Sequence, residues 1–441
     1  MKIILLSGGS GKRLWPLSND ARSKQFLRLL TAPDGTRESM IQRVVRQIKS
    51  AGLTDDIVVA TGVNQRDAIV NQLGDALGVV TEPCRRDTFP AIMLACAYLQ
   101  SKGTPADEPV IVMPCDSFTD DAYFGVLGRM ARAVDDGVAD LVLMGIEPTY
   151  ASAKYGYIVP DRDSVGPDGC MPVKRFTEKP DVAGAERLIA AGALWNGGVF
   201  AFRLGYLMAI AAEAAPGMDF AEIRRNYASM TKISFDYQVV EKAASVAVVP
   251  YSGNWKDLGT WNTLTDELDD PVHGNVLTDR CTNTFVVNEL ELPLVCIGTK
   301  NLVIAASPDG ILVSERKLSE NLKTLVDGIG KRPMYEERSW GEYKVVDSVD
   351  FSDGRQALTK QIFVNAGREI GLHYHDVRTE VWTVIDGNGE VTVDGETRQI
   401  GPGDVVRLLP GSVHGLKAVT DLYFVEVQTA EKLSDDDITF V

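Results

Sequence analysis

Histidine is scarce in this chain: four residues in 441, at positions 273, 373, 375 and 414. Chemistry that needs several imidazoles is therefore confined to the stretch after residue 370. Positive charge is also short, with 45 Lys and Arg against 61 Asp and Glu and a net charge of −16. A polyanion would be repelled by most of such an exterior, which argues against a general nucleic-acid surface and makes any phosphate-binding cations local. Long apolar runs are missing: none approaches the roughly 20 residues of a membrane span, and Met1-Lys2 runs straight into a strand-like segment without a secretory pattern. The six cysteines, at 84, 96, 115, 170, 281 and 296, include no CxxC pair and sit in apolar or turn contexts, as reduced thiols do. The expectation is a cytoplasmic protein with neither a nucleic-acid nor a membrane partner.

What is present suffices for two or three domains, with 45% of residues apolar and 24% charged. From residue 1 to about 265, strand-like apolar runs alternate with helix-like segments, the pattern of an α/β layer on a largely parallel sheet. Ile3 to Leu6, Ile57 to Ala60, Val110 to Met113 and Asp140 to Gly145 read as strands, and residues 38–50 carry apolar positions at helical spacing. In such a sheet ligands gather at the carboxyl ends of the strands.

The first strand empties into Ser7-Gly8-Gly9-Ser10-Gly11-Lys12-Arg13, a loop with little side-chain bulk before two cations. Glycines let the backbone approach phosphate oxygens closely, while Lys12, Arg13 and Lys24 supply charge. The spacing is not that of a P-loop, because Leu6 stands where the first glycine belongs and Arg13 where a hydroxyl residue belongs. Nor is it a dinucleotide fingerprint, since Leu14 replaces the third glycine. The run GGSGKRLWPLS, with the lysine of SKQF beyond it, resembles the signature of the sugar-nucleotide pyrophosphorylases, and in detail that of the mannose-1-phosphate guanylyltransferases.

Further motifs fall in the family's order. Glu82-Pro-Cys-Arg-Arg-Asp-Thr-Phe-Pro90 resembles EPxxRNTAP, with Pro90 suited to a helix start. The resemblance implies that Glu82 reads the base and that Arg86 and Thr88 line the nucleotide pocket beside Ser7, Gly8, Gly9, Gly11 and Lys12. Asp116, after the strand Val110 to Met113, stands where the family holds Mg²⁺, and Asp257 in GNWKDLG is its matching partner. On the sugar side, YGYI, FTEKP and LWNGGVF imply contacts from Gly156, Glu178 and Asn196, with Lys179 on the sugar phosphate. Arg13, Lys24, Asp116, Lys179 and Asp257 are then the catalytic set. The substrates so implied are GTP and mannose 1-phosphate, giving GDP-mannose and pyrophosphate. A homo-oligomer, specifically a dimer, is also expected.

After residue 266 short apolar runs broken by turns replace the α/β pattern, and in the family this region is a short β-helix-like arm. His273 reads as a turn residue without a ligand role. From about residue 336 the remaining histidines fit the first cupin motif, Gly367-x5-His373-x-His375-x4-Glu380-x6-Gly387, and Gly403, Gly411 and His414 represent the second. Three imidazoles and a carboxylate in a small β-barrel suit a divalent transition metal, Zn, Fe, Mn or Ni, and the motif does not choose among them. In bifunctional relatives this cupin is a phosphomannose isomerase. Here His373 and Val381 depart from the isomerase motif while Arg378 and Trp382 keep it, so isomerase activity stays open. The acidic run Asp435 to Asp437 reads as a solvated tail. The resulting division is 1–265, 266–335 and 336–441. The alternatives are a pyrophosphorylase for another sugar or nucleotide and a non-catalytic sugar-sensing cupin protein.

Overall fold

The computed structural model describes residues 1–9, 12–19, 21–329 and 332–441. Strand Lys2–Leu6 lies inside a nine-stranded sheet, between Ile57–Gly62 and Pro109–Pro114 and parallel to both. Gly78–Glu82 extends one side; Leu194–Arg203, Leu141–Ile146, Val246–Tyr251, Met171–Thr177 and Tyr157–Pro160 extend the other. Only Leu194–Arg203 and Met171–Thr177 run against the rest. Alternation of side chains divides the first strand between two cores. Ile3 and Leu5 pack with Ile41, Val44 and Ile48 of helix Met40–Ser50, whereas Ile4 packs with Ile92 and Cys96 of helix Thr88–Ser101. A strand covered on both faces needs an unbroken apolar run, which is what Ile3 to Leu6 supplies.

The arm builds two short parallel sheets. Val272–Gly274, Phe285–Asn288 and Leu302–Ser307 form one, closed by antiparallel Gly310–Glu315; Val276–Asp279 and Leu294–Ile297 form the other. A helical segment follows, Lys317–Asn321 and Leu322–Val326. The arm shares one core with the loops of the first domain: Val303, Leu312, Leu322 and Val326 pack with Leu14, Leu17 and Trp261. Gly310, at φ 152°, is required there, because a Cβ would lie 2.5 Å from the Trp15 ring. Arg22 is buried beneath the arm, bonded to both carboxylate oxygens of Glu289 at 2.8 and 3.0 Å, with its guanidinium over the Tyr335 ring.

The last unit is a two-sheet barrel, six strands facing five. Its core holds Val345, Ile362, Trp382, Leu416 and Phe424. It rests on the first domain through Asn71, whose amide donates to the carbonyls of Arg338 and Gly341, and through Gln72, which donates to Glu337. The tail reads differently in the structure. Asp435 and Asp436 are exposed as expected, but beyond them Thr439–Phe440 adds a strand to the five-stranded sheet beside His373 and Tyr374. Without the tail, strand Glu369–Tyr374 would be the edge of that sheet with unpaired backbone groups, and the tail pairs them.

Candidate active site and candidate metal centre

The phosphate-loop residues sit at the carboxyl end of the first strand. Ser7 spends its N–H on the Ala60 carbonyl at 2.8 Å, so sheet pairing reaches the loop itself. The Gln25 amide donates to the Ser7 carbonyl at 2.8 Å, and Ser23 Oγ and the Gln65 amide donate to the Gly9 carbonyl at 2.8 and 2.9 Å. With those carbonyls turned into the protein, the loop's course is fixed by buried polar side chains. Gly11 lies outside the described residues.

Two adjoining cavities open at this loop, both lined by Leu6, Gly8 and Gly9. The larger, about 550 Å³, runs toward Ala60, Glu82, Thr88 and Ala91 and is mostly apolar in its walls. The smaller, about 260 Å³, is lined by Lys12, Arg13, Lys24, Asp116 and Asp257, and also by Lys323 from the arm. Antiparallel pairing of Ser117–Thr119 with Trp255–Asp257 sets Asp257 opposite Ser117, which brings the second carboxylate beside Asp116. Asp120 fixes the returning loop, accepting from Tyr251 Oη at 2.8 Å and the Asn254 N–H at 3.0 Å.

Lys24 Nζ lies 2.8 Å from Asp116 and 3.1 Å from Asp257. Burial works against charge on Lys24, but the two carboxylates outweigh it and hold the ammonium protonated well above its ordinary range. Burial likewise opposes ionisation of Asp116, and Lys24 overbalances it, so that carboxyl is held below its usual range. Two carboxylates drawn together around a cation are a hard oxygen donor set, and they fit a magnesium-sized ion shared with phosphates.

In the larger cavity Glu82 is buried and accepts from Tyr227 Oη at 2.6 Å; burial raises its carboxyl pKa. Thr88 begins its helix, capped by Asp87, and its hydroxyl accepts the Phe235 N–H at 2.8 Å. The helix thus starts before Ala91, with Pro90 in its first turn. Arg86 is not brought to the cavity. Its guanidinium donates to the Ala228 carbonyl, and it is Arg85 that lines the wall and donates to the Gly9 carbonyl at 3.2 Å. Neighbouring residues on an irregular turn diverge, and only one of the two arginines can face the loop. Lys232 is a further lining cation that no sequence motif indicated.

Gly156, Glu178 and Asn196, which the resemblance assigns to the sugar, do converge. A Cβ at Gly156 would lie 2.5 Å from Glu178 Oε2 and 3.3 Å from Asn196 Cβ, so only glycine permits this approach. The Asn196 N–H donates to the Gly156 carbonyl at 2.8 Å. Glu178 Oε2 is buried with no partner among the described residues, and such an oxygen is an acceptor awaiting a donor. Lys179, at φ 41°, folds its ammonium onto Glu178 Oε1 at 2.5 Å. Asp236, absent from the sequence-derived set, accepts from the Asn196 amide at 2.6 Å; burial and then the charge of Glu178 push its pKa up to about 6.

In the barrel, His373, His375 and His414 are buried with ligand-capable nitrogens within 4.8 Å of one another. Carbonyls of Gly371, Asp437 and Ser412 accept from the Nδ1 atoms of His373, His375 and His414 respectively, which leaves Nε2 as the lone-pair atom on each ring. His414 Nε2 is buried with no hydrogen-bond partner among the described residues. An orphaned imidazole nitrogen beside two others fits a borderline transition metal. Glu380 stands beside the triad, 3.2 Å from His375 Nε2 and 3.7 Å from His414 Nε2, and accepts from Arg378 Nε, Trp382 Nε1 and Gln428 Nε2. Burial alone would raise it, but the adjacent His375 and His414 rings and the charge of Arg378 hold its carboxyl far below the usual range. Glu426, behind it, is pushed up to about 8 by burial and by Glu380. The tail supplies the Asp437 carbonyl to His375 and sets Phe440 5.7 Å from the His373 ring, a closure the solvated-tail reading missed.

Known proteins share this organisation. The nucleotidyl transferase family model matches residues 2–271, and a cupin domain model matches residues 362–427. Mannose-1-phosphate guanylyltransferase RfbM of Salmonella typhimurium is 30% identical over 99% of this chain and 95% of its own length. Xanthan biosynthesis protein XanB of Xanthomonas campestris pv. campestris is 33% identical over 99% and 97%. Alginate biosynthesis protein AlgA of Pseudomonas aeruginosa is 30% identical over 99% and 95%. The crystal structure of mannose-1-phosphate geranyltransferase from Thermus thermophilus superposes with a TM-score of 0.62 at 30% identity, covering 75% of this chain and 99% of that one. With matches of this length over both the phosphate-loop domain and the barrel, the chain is a nucleotidyltransferase enzyme of the mannose-1-phosphate guanylyltransferase family, in the form that carries a C-terminal cupin domain.

Proposed function

We propose that this enzyme transfers GMP from GTP to mannose 1-phosphate, giving GDP-mannose and pyrophosphate. The observation that carries the proposal is Lys24 between Asp116 and Asp257 at the mouth of a glycine-rich loop, with a base-sized cavity on one side and the Glu178–Asn196 cluster on the other. A buried carboxylate at Glu82 suits guanine, whose ring N–H and amino group are adjacent donors. Glu178, with its unpartnered oxygen, and Asn196 hold sugar hydroxyls, and Gly156 gives the hexose room. Lys179 turns from Glu178 to the sugar phosphate and aims one of its oxygens at the α-phosphorus. Pyrophosphate leaves along the opposite direction into the cavity of Lys12, Arg13 and Lys24, where fixed cations stabilise developing charge without reorganising. Bound at Asp116 and Asp257, Mg²⁺ would supply electrostatic stabilisation of phosphate oxygens. No covalent intermediate with the protein is needed, since the acceptor phosphate is itself the nucleophile.

The three histidines and Glu380 would hold the cupin metal, Zn, Fe, Mn or Ni, which supplies Lewis acidity toward an oxygen ligand. A mannose-6-phosphate isomerase activity in this barrel is the second reading, favoured by the buried Arg378 and Glu426 beside the triad. We place the enzyme in the cytoplasm, where nucleoside triphosphates and reduced thiols occur together; its six cysteines form no disulfide. Its exposed arm residues Leu277, Val295 and Ile297 form an apolar face suited to a second copy, as a homodimer requires. The units proposed are 1–265, 266–335 and 336–441; the last strand of the large sheet ends at Tyr251, the arm's first begins at Val272 and the barrel's first begins at Tyr335.

The test is pyrophosphate release with Mg²⁺ over four nucleoside triphosphates and mannose, glucose and fucose 1-phosphates. Release confined to GTP with mannose 1-phosphate is expected. Release with another pair would move the substrate assignment to that pair, and no release with any pair would favour the sensing alternative.

A further inference from the structure

The phosphate cavity has a wall that does not belong to the nucleotidyltransferase sheet. Lys323, from the arm, lies on it with Lys12, Arg13, Lys24, Asp116 and Asp257. Its helix, Leu322–Val326, is seated by Leu322 and Val326, which pack in the core that contains Leu14 and Leu17 from the end of the phosphate loop. On one side Asp327 stands 4.0 Å from Lys12 Nζ; on the other, Glu320 stands 3.8 Å from Lys154, just before the Tyr155-Gly156 turn. The segment 317–327 therefore spans the cleft mouth from the phosphate side to the sugar side. The other lysines of the cavity are matched by acids, Lys24 by Asp116 and Asp257 and Lys12 by Asp327. Lys323 has no ion-pair partner among the described residues.

We propose that Lys323 is a phosphate-binding residue of the transferase reaction, gripping the β- and γ-phosphates of the incoming triphosphate and the pyrophosphate that leaves. The proposal rests on the functional reading above. Two carboxylates at the mouth favour cations, so triphosphate entry needs cations placed beyond them, and the arm places one there. A charge-assisted hydrogen bond from one exposed lysine to phosphate corresponds to about tenfold in affinity.

The experiment compares full-length wild type, Lys323→Ala, Lys323→Gln and Lys323→Arg. It measures KM for GTP and for mannose 1-phosphate, equilibrium binding of inorganic pyrophosphate with Mg²⁺, and thermal unfolding. Lys323→Ala and Lys323→Gln are expected to raise KM for GTP and Kd for pyrophosphate about tenfold, with KM for mannose 1-phosphate within about twofold of wild type. Lys323→Arg is expected to recover most of the loss, and unfolding should not shift because the side chain is exposed. Unchanged pyrophosphate affinity in the Ala and Gln variants would overturn the assignment, and so would an equal loss in Lys323→Arg, since the arm's shape rather than its charge would then be responsible. A wild-type chain without transferase turnover would instead refute the underlying reading, and pyrophosphate binding still reports on Lys323 in that case.

Discussion

Lys24 occupies the point where two carboxylates meet, and its ammonium keeps Asp116 and Asp257 from repelling each other. Removing one of them should disable chemistry before it disables folding, because Asp257 is partly open to the cavity. Asp257→Ala is expected to lower kcat by about 10³-fold with an unchanged circular dichroism spectrum; near-wild-type turnover would refute its role. Asp236 gives a pH dependence of opposite origin. Its folded pKa of about 6 exceeds the ordinary 3.8, so the native state binds the proton more tightly than the unfolded chain. Stability from this group is full below about 4 and falls as pH rises toward 6. Asp236→Asn keeps an acceptor for the Asn196 amide and carries no charge. Melting temperatures of the variant across pH 4–7 should decline less steeply than those of wild type, and parallel curves would show that Asp236 does not titrate as stated.

At the scale of elements, legibility followed burial. Strands covered on both faces, such as Lys2–Leu6 and Leu141–Ile146, stood out as continuous apolar runs. Asp116 and Asp257 could be named because each lies in a recognisable motif, although nothing in the spacing showed that two three-residue strands would pair them. Choosing Arg86 over Arg85 failed because the direction of a side chain on an irregular turn is set by what packs around it. Asp236, in the run Phe235 to Lys242 that resembles a family motif, and Lys323 were given no role for the same reason: each meets its partners from residues distant in sequence. The tail was half read: Asp435 and Asp436 are exposed as composition indicates, yet the Asp437 carbonyl serves His375. This closure predicts that the full-length protein holds about one transition-metal ion per chain, measurable by elemental analysis, and that a His375→Ala/His414→Ala variant holds none. Phe440→Asp, which should loosen the tail strand, is expected to keep the stoichiometry while speeding removal of the metal by a chelator. Equal chelation rates would mean that the tail does not guard the barrel.

For the whole molecule, the three units are not beads on a string. The arm's core includes Leu14 and Leu17, Arg22 reaches Glu289, and helix Arg66–Leu73 carries Asn71 and Gln72 into the barrel's first turn. A fragment ending at residue 265 should therefore leave the loop after Gly9 without its apolar backing. Its expected behaviour is loss of GTP binding and association in solution, measured by equilibrium binding and light scattering; a monomeric fragment that binds GTP like the full chain would contradict this. Gly310 and Trp15 give the same dependence a direction in time. Translation delivers Trp15 first and its counterpart nearly three hundred residues later. A nascent chain must therefore carry Trp15 without its cover from the arm through most of its synthesis.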